Sequence, residues 1–136
     1  MTSNTRFSMA VHIMTTLAFL GKKVSSAELS KSVRTNPVVV RRLLGDLNRA
    51  GLIVAERGKT GGFSLARAAS GISLFDVYRA VTGDEELVSL HDNPENRICP
   101  VSCKVRGALV KHLDKAQSLY ERELEKVSLA DLEKAM

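Results

Sequence analysis

Two groups of side chains have both the type and the spacing to do chemistry. Arg41 and Arg42 lie in one apolar-periodic segment, and Arg57 and Lys59 lie in a glycine-rich one, Arg57-Gly58-Lys59-Thr60-Gly61-Gly62. An arginine fork can pair bidentately with guanine in a major groove, and an arginine at a loop tip can enter a narrow minor groove, where the negative potential is enhanced. Ser26, Thr35 and Lys59 have the shorter or single-point donors suited to phosphate oxygens, which give affinity and register but no sequence information. The second group is Cys99 and Cys103, thiols that can ligate metals or meet oxidants. His12 is a weak third candidate for a ligand set, because it stands beside an apolar stripe, where a packed helix residue is the commoner occupant.

The elements that must carry these groups follow from periodicity and capping. Phe7, Ala10, Met14, Leu17 and Ala18 form one apolar stripe, predicting a helix over 4–20 that Gly21 stops. Ser25-Ser26-Ala27-Glu28 has capping-box spacing and opens a short helix over about 26–33 with Leu29 and Val33 inward. Asn36 can cap and Pro37 suits a first turn, so a third helix spans Pro37–Ala50, with Val40, Leu43, Leu44 and Leu47 buried and Arg41, Arg42, Asn48 and Arg49 free. Leu52–Ala55 and Phe63–Ala66 are strand-like and flank the glycine loop, a hairpin with a basic tip. Two short helices with a tight turn, then such a hairpin, give a mainly α fold: a winged helix-turn-helix. Its first two helical turns of recognition surface, Asn36, Pro37, Val38, Arg41 and Arg42, and its wing residues Arg57, Lys59, Thr60 and Gly61 are the expected DNA contacts.

Further along, Ser73-Leu74-Phe75-Asp76 opens a fourth helix ending at Gly83, expected to pack under the wing. Residues 84–98 read as an exposed loop. Val105, Leu109, Leu113, Ala116, Tyr120, Leu124 and Val127 then form a sustained seam on a helix over about 100–126, followed by a short helix that Ser128 caps. Such a helix spans about 40 Å, beyond what one small domain covers, so part of its seam is expected on a second copy. The chain thus divides into a DNA-binding domain, 1–83, and a cysteine loop with a dimerisation helix, 84–136.

Charge is divided along the same line. Of 136 residues, 1–70 hold 11 Lys and Arg against 3 acids, and 71–136 hold the other 9 against 12 acids, for a net +5. A basic N-terminal half suggests a polyanion partner, although charge alone also fits a solvated surface. Hydrophobic content of 44% and charged content of 26% are ordinary for a folded globular chain. No apolar run reaches the ~18 residues of a membrane span and no leader is read, so a cytoplasmic location is expected. An enzyme using Cys99 as nucleophile is disfavoured, since no His or acid stands at motif spacing and no phosphate cradle precedes a helix. A module whose helices bind only protein is the remaining rival.

The series Asn36-Pro37 to Arg42-Leu43, Leu47-Asn48-Arg49-Ala50-Gly51-Leu52, Arg57 to Ala66 and Ile72-Ser73-Leu74-Phe75-Asp76-Val77 resembles the Rrf-two (Rrf2) family of bacterial winged-helix regulators over nearly the whole chain. The resemblance implies dimeric repressors or activators, here taken as a repressor, whose long helix crosses onto the partner subunit and whose cysteine chemistry adjusts DNA affinity. It places Arg41 and Arg42 at base edges and Arg57 in the minor groove. A two-fold dimer should read a pseudo-palindromic operator with half-sites about one helical turn apart.

The cysteines depart from the iron–sulfur members, which carry three in this loop, and look like the cluster-free thiol-type members. A cluster typically takes four ligands, so no cofactor is expected, with a cluster completed by His12 together with an acid or with His112 as the alternative. Cys99 stands at a helix start near Arg97 and Lys104, surroundings that favour a thiolate. Cys103 is one turn on, a spacing that an intact helix does not easily bridge, so a disulfide would require an intersubunit bond or a locally unwound turn. Redox sensing through Cys99 and Cys103 and two inert reduced thiols both remain open.

Overall fold

The computed structural model describes the backbone of residues 3–136 and the side chains from residue 5 onward. Its elements are α1 (Ser3–Leu20), α2 (Ser26–Val33), α3 (Pro37–Arg49), β1 (Ile53–Glu56), β2 (Gly62–Leu65), α4 (Leu74–Thr82), α5 (Pro100–Glu125) and α6 (Leu129–Ala135). Local chemistry sets most of these boundaries. The Ser25 hydroxyl accepts from the Glu28 amide at 3.2 Å to cap α2, and the Asn36 side-chain oxygen accepts from the Val38 amide at 2.8 Å to cap α3. Ser73 with Asp76, and Ser128 with Asp131, close full reciprocal boxes at the starts of α4 and α6. The Ser128 backbone and hydroxyl donors hold the exposed Asp131 carboxyl below its ordinary range.

One core joins the helices and the hairpin. Ile13, Met14 and Leu17 of α1 meet Leu29 of α2, Val40, Leu43, Leu44 and Leu47 of α3, and Val77 and Val81 of α4. Leu129, from the far end of the chain, is fully buried in the same cluster. It is brought there by two strand-like bonds, Leu74 N to Val127 O at 2.8 Å and Leu129 N to Ile72 O at 3.0 Å. In these the two capping segments lie side by side, Ser73 opposite Ser128.

The expected position of α4 under the wing is not what the fold shows. It packs chiefly on α1, α3 and α5. Its buried face is Val77, Tyr78, Val81 and Thr82, too broad for the edge of a four-residue hairpin, and Tyr78 stacks edge-on with Phe7 of α1 and Tyr120 of α5, both at 5.5 Å. Burial and the neighbouring Tyr78 push the Tyr120 hydroxyl above its ordinary value.

Residues 84–99 lack regular structure, but they are tied to α5 rather than free. Leu87 donates to the Gln117 side-chain oxygen at 2.9 Å, and Arg106 donates to the His91 carbonyl at 2.8 Å. The long helix itself has no buried residue. Leu113, Tyr120 and Leu124 are half-buried toward the domain, whereas Val105, Leu109 and Ala116 of the expected seam are exposed, as are Val101 and Leu119. Among the described residues, no helix is long and apolar enough to cross a membrane.

Candidate nucleic-acid interface

The helix-turn-helix and the hairpin are joined by more than sequence adjacency. β1 and β2 pair antiparallel with Ile53 opposite Leu65 and Glu56 opposite Gly62. On the other side of β2, Val24 exchanges two backbone bonds with Phe63, at 2.9 and 2.8 Å. The connection between α1 and α2 is thereby a third, one-residue strand, and the Lys23 ammonium holds Glu56 at 2.7 Å across the same edge. Leu47 O accepts from Leu52 N at 3.0 Å, so the end of α3 runs directly into the sheet. The wing therefore cannot swing independently of α2 and α3.

Within this frame the cations separate into two classes. Arg6 and Arg49 both pair with Asp46, Lys23 pairs with Glu56, and Arg67 pairs with Asp76. Arg41, Arg42, Arg57 and Lys59 are exposed and, among the described residues, have no ion pair or hydrogen bond. Val40, Leu43, Leu44 and Leu47 turn one face of α3 inward, which leaves Val38, Arg41 and Arg42 outward. Holding unpaired charges on long side chains in water costs little, and neutralising phosphate there releases counterions. Gly45 lies mid-helix near this face, and a β-carbon there would meet only the Arg49 guanidinium, at 3.5 Å.

Other expected contacts have local duties. The Asn36 oxygen is committed to its cap, and Pro37 occupies the first turn of α3. Ser26 is half-buried at the start of α2, where Ser25 is the capping residue, and its carbonyl accepts from the Ser30 hydroxyl at 2.9 Å. Thr35 is half-buried in the turn and Thr60 is exposed at the wing tip. Gly61 closes the tip by donating to the Gly58 carbonyl at 3.0 Å. A β-carbon on Gly61 would collide with the Glu56 carbonyl. Gly61→Ala is accordingly expected to cost the hairpin about 1–3 kcal/mol through overpacking. Faster amide exchange across 57–61 and at least ~10-fold weaker duplex binding should report it; unchanged exchange would show that the tip tolerates a side chain.

The sequence pattern did not single out Lys22, Lys31 or Arg34, three further exposed cations without an ion pair among the described residues. Lys22 precedes the Val24 bridge, and the other two flank the end of α2. Lys23 differs from them by its pairing across the fold with Glu56, and Arg49 by its pairing with Asp46 within α3.

The cysteines are adjacent but not joined. Cys99 is the half-buried first cap of α5, and Cys103 is exposed one turn later, its thiol donating to the Asn96 carbonyl at 3.5 Å. His12 is on α1 with Nε2 3.0 Å from the Ser32 hydroxyl. Among the described residues no three His, Cys, Asp or Glu side chains converge as a metal-ligand set.

Residues 3–135 match the model of a family described as Rrf2, an iron-dependent transcriptional regulator. The chain belongs to the Rrf2 family. It is 40% identical over 129 residues, 95% of each chain, to a Bacillus subtilis (strain 168) protein named as the HTH-type transcriptional regulator YwnA. A crystal structure described as that of a DNA binding protein superposes with a TM-score of 0.75 at 36% identity, covering 93% of this chain and 97% of that one. CymR, the global cysteine regulator of B. subtilis, superposes with a TM-score of 0.67 over 97% of this chain and 95% of its own, and at 22% identity this is a likeness of fold. This Rrf2 chain is a DNA-binding transcriptional regulator with a winged helix-turn-helix and a long C-terminal helix. The iron dependence in the family's description meets a poor fit here. Two cysteines one turn apart supply half of the about four ligands that a cluster takes, and among the described residues no third His, Cys, Asp or Glu joins them as a ligand set.

Proposed function

We propose that this regulator is a cytoplasmic, homodimeric repressor that binds a pseudo-palindromic duplex operator and loosens its hold when Cys99 is oxidised. The observation that carries the DNA half of this reading is the division of cations just described: acids neutralise Arg6, Arg49 and Arg67, and Arg41 and Arg42 of α3 and Arg57 of the wing are left for a polyanion. Arg41 and Arg42 read base edges, Arg57 reaches the minor groove, and Lys59, Thr35 and Ser26 meet phosphates. The dimer is supported by a 26-residue helix without a fully buried residue, on which Val101, Val105 and Leu109 stay exposed within their own chain.

The sensing half is supported by the position of Cys99, where the connection over 84–98 becomes α5. In the step, the Cys99 sulfur attacks one peroxide oxygen, an S–O bond forms as the O–O bond breaks, and hydroxide leaves to be protonated to water. The resulting sulfenic acid sits at the start of the helix that meets the partner. Protein purified without air should be colourless. Brief peroxide treatment should weaken operator binding by about 5- to 100-fold, the ordinary range of allosteric coupling. Cys99→Ser should abolish the response and Cys103→Ser should preserve it. A brown protein with charge-transfer absorption, or oxidised protein that binds unchanged, would remove the thiol from the reading and leave the DNA interface standing.

A further inference from the structure

Arg34 is the one described residue other than glycine with a positive φ, 60° with ψ 49°. It caps the C-terminus of α2, its amide donating to the Ser30 carbonyl at 2.8 Å. Glycine or asparagine takes this left-handed position freely, whereas the β-carbon of other L-residues crowds the following carbonyl. Turns between the two helices of this motif often use glycine for that reason. The fold gives the arginine nothing in exchange: among the described residues its guanidinium has no ion pair and no hydrogen bond, and the side chain is exposed.

A strained residue without an internal partner calls for an external one. Arg34 stands two residues before the Asn36 cap of α3, so it flanks the first turn of the helix whose outward face carries Arg41 and Arg42. Exposed Lys31, in the last turn of α2, continues the cationic edge without a carboxylate to neutralise it. A planar guanidinium beside an inserted helix matches the two non-bridging oxygens of a phosphodiester.

We infer that Arg34 is a phosphate-contact residue that clamps the DNA backbone beside the groove entered by α3, and that this contact is the reason an arginine occupies a left-handed turn. The inference rests on the proposed entry of α3 into a groove. Because a phosphate contact carries no sequence information, its test needs no operator: a mixed-sequence duplex of about 30 base pairs, titrated between roughly 50 and 300 mM KCl, is sufficient. Arg34→Gly should melt roughly 3–5 °C higher, since the strain is relieved. It should bind the duplex about 3- to 10-fold more weakly at low salt, and the slope of log K against log salt should fall by about 0.9 for each protomer in contact. Arg34→Lys should retain most of the slope, and Arg34→Asn should lose it although asparagine tolerates the conformation.

An unchanged slope in Arg34→Gly, in a protein whose slope does fall on Arg57→Ala, would overturn this inference and leave the DNA interface intact. A lower melting temperature would overturn it too, because the guanidinium would then serve the fold. Wild-type protein with no salt-dependent duplex binding would instead overturn the underlying reading.

Discussion

Replacing Arg41 by alanine should weaken binding to an operator recovered by selection from random duplexes by about 30-fold or more, and adding Arg57→Ala should bring the loss to at least ~1000-fold. A bidentate arginine–base pair discriminates by about 1–3 kcal/mol, and in a two-fold dimer each substitution is made twice. The two variants should differ in kind. Arg41→Ala should flatten preference at one symmetric pair of base positions and change the salt dependence little. Arg57→Ala should reduce the salt slope by about 1.8 per dimer and weaken any preference for a narrow, A·T-rich minor groove. Neither arginine has a partner among the described residues, so melting temperatures should move by no more than surface substitutions do, about 0.5 kcal/mol in stability. Arg49→Ala is the informative contrast. Arg49 shares Asp46 with Arg6, so its loss should alter the stability of α3 slightly and leave base preference alone. A double variant that keeps its affinity and preference would place the interface elsewhere on the molecule.

What the sequence could and could not reveal follows from the range of the interactions involved. Ser25, Asn36, Ser73 and Ser128 fix helix starts through bonds that reach only two or three residues, so their pattern is legible in a linear string. The same holds for Gly61, whose place in a short reversal between strand-like runs announces a tight turn. The Val24–Phe63 bridge spans 39 positions and leaves no periodic trace; without it, the wing reads as a free hairpin, whereas its second strand is flanked by β1 on one side and Val24 on the other. The position of α4 was misread for a related reason. An amphipathic helix shows that it has a buried face, but not which neighbour supplies the cover, and here the aromatic contacts of Tyr78 select α1 and α5. Arg34 runs against the local rules: turn chemistry predicts glycine or asparagine at its position, and only the backbone angle exposes the conflict.

Val105→Glu combined with Leu109→Glu should convert the protein from a dimer to a monomer at micromolar concentration, as read by sedimentation equilibrium. Glutamate is a good helix former, so the substitutions test the seam and not the propensity of α5. In a single chain Val105 is 45% and Leu109 is 41% exposed, and Val101, one turn earlier on the same stripe, is 65% exposed. The half of α5 toward Glu125 has Tyr120 packed on the domain, whereas the half toward Pro100 faces the connection over 84–98, where Val105 and Leu109 line an open cleft with Leu90 and Pro94. Charges at the centre of an apolar interface typically cost several kcal/mol across two symmetric copies, enough to move a dimer constant by about 1000-fold. Because these side chains contribute nothing to the buried cluster, the variant should remain folded. The wild-type melting temperature should fall on dilution toward that of the variant, whose own should not depend on concentration. Operator affinity should drop by about 100- to 10,000-fold, since two half-sites would no longer be held by one linked pair of recognition helices. A variant that still sediments as a dimer would move the interface off this stripe. One that unfolds would show the stripe packed within its own chain, and the reach of α5 toward a partner would then be lost from the account of how oxidation at Cys99 is felt by DNA.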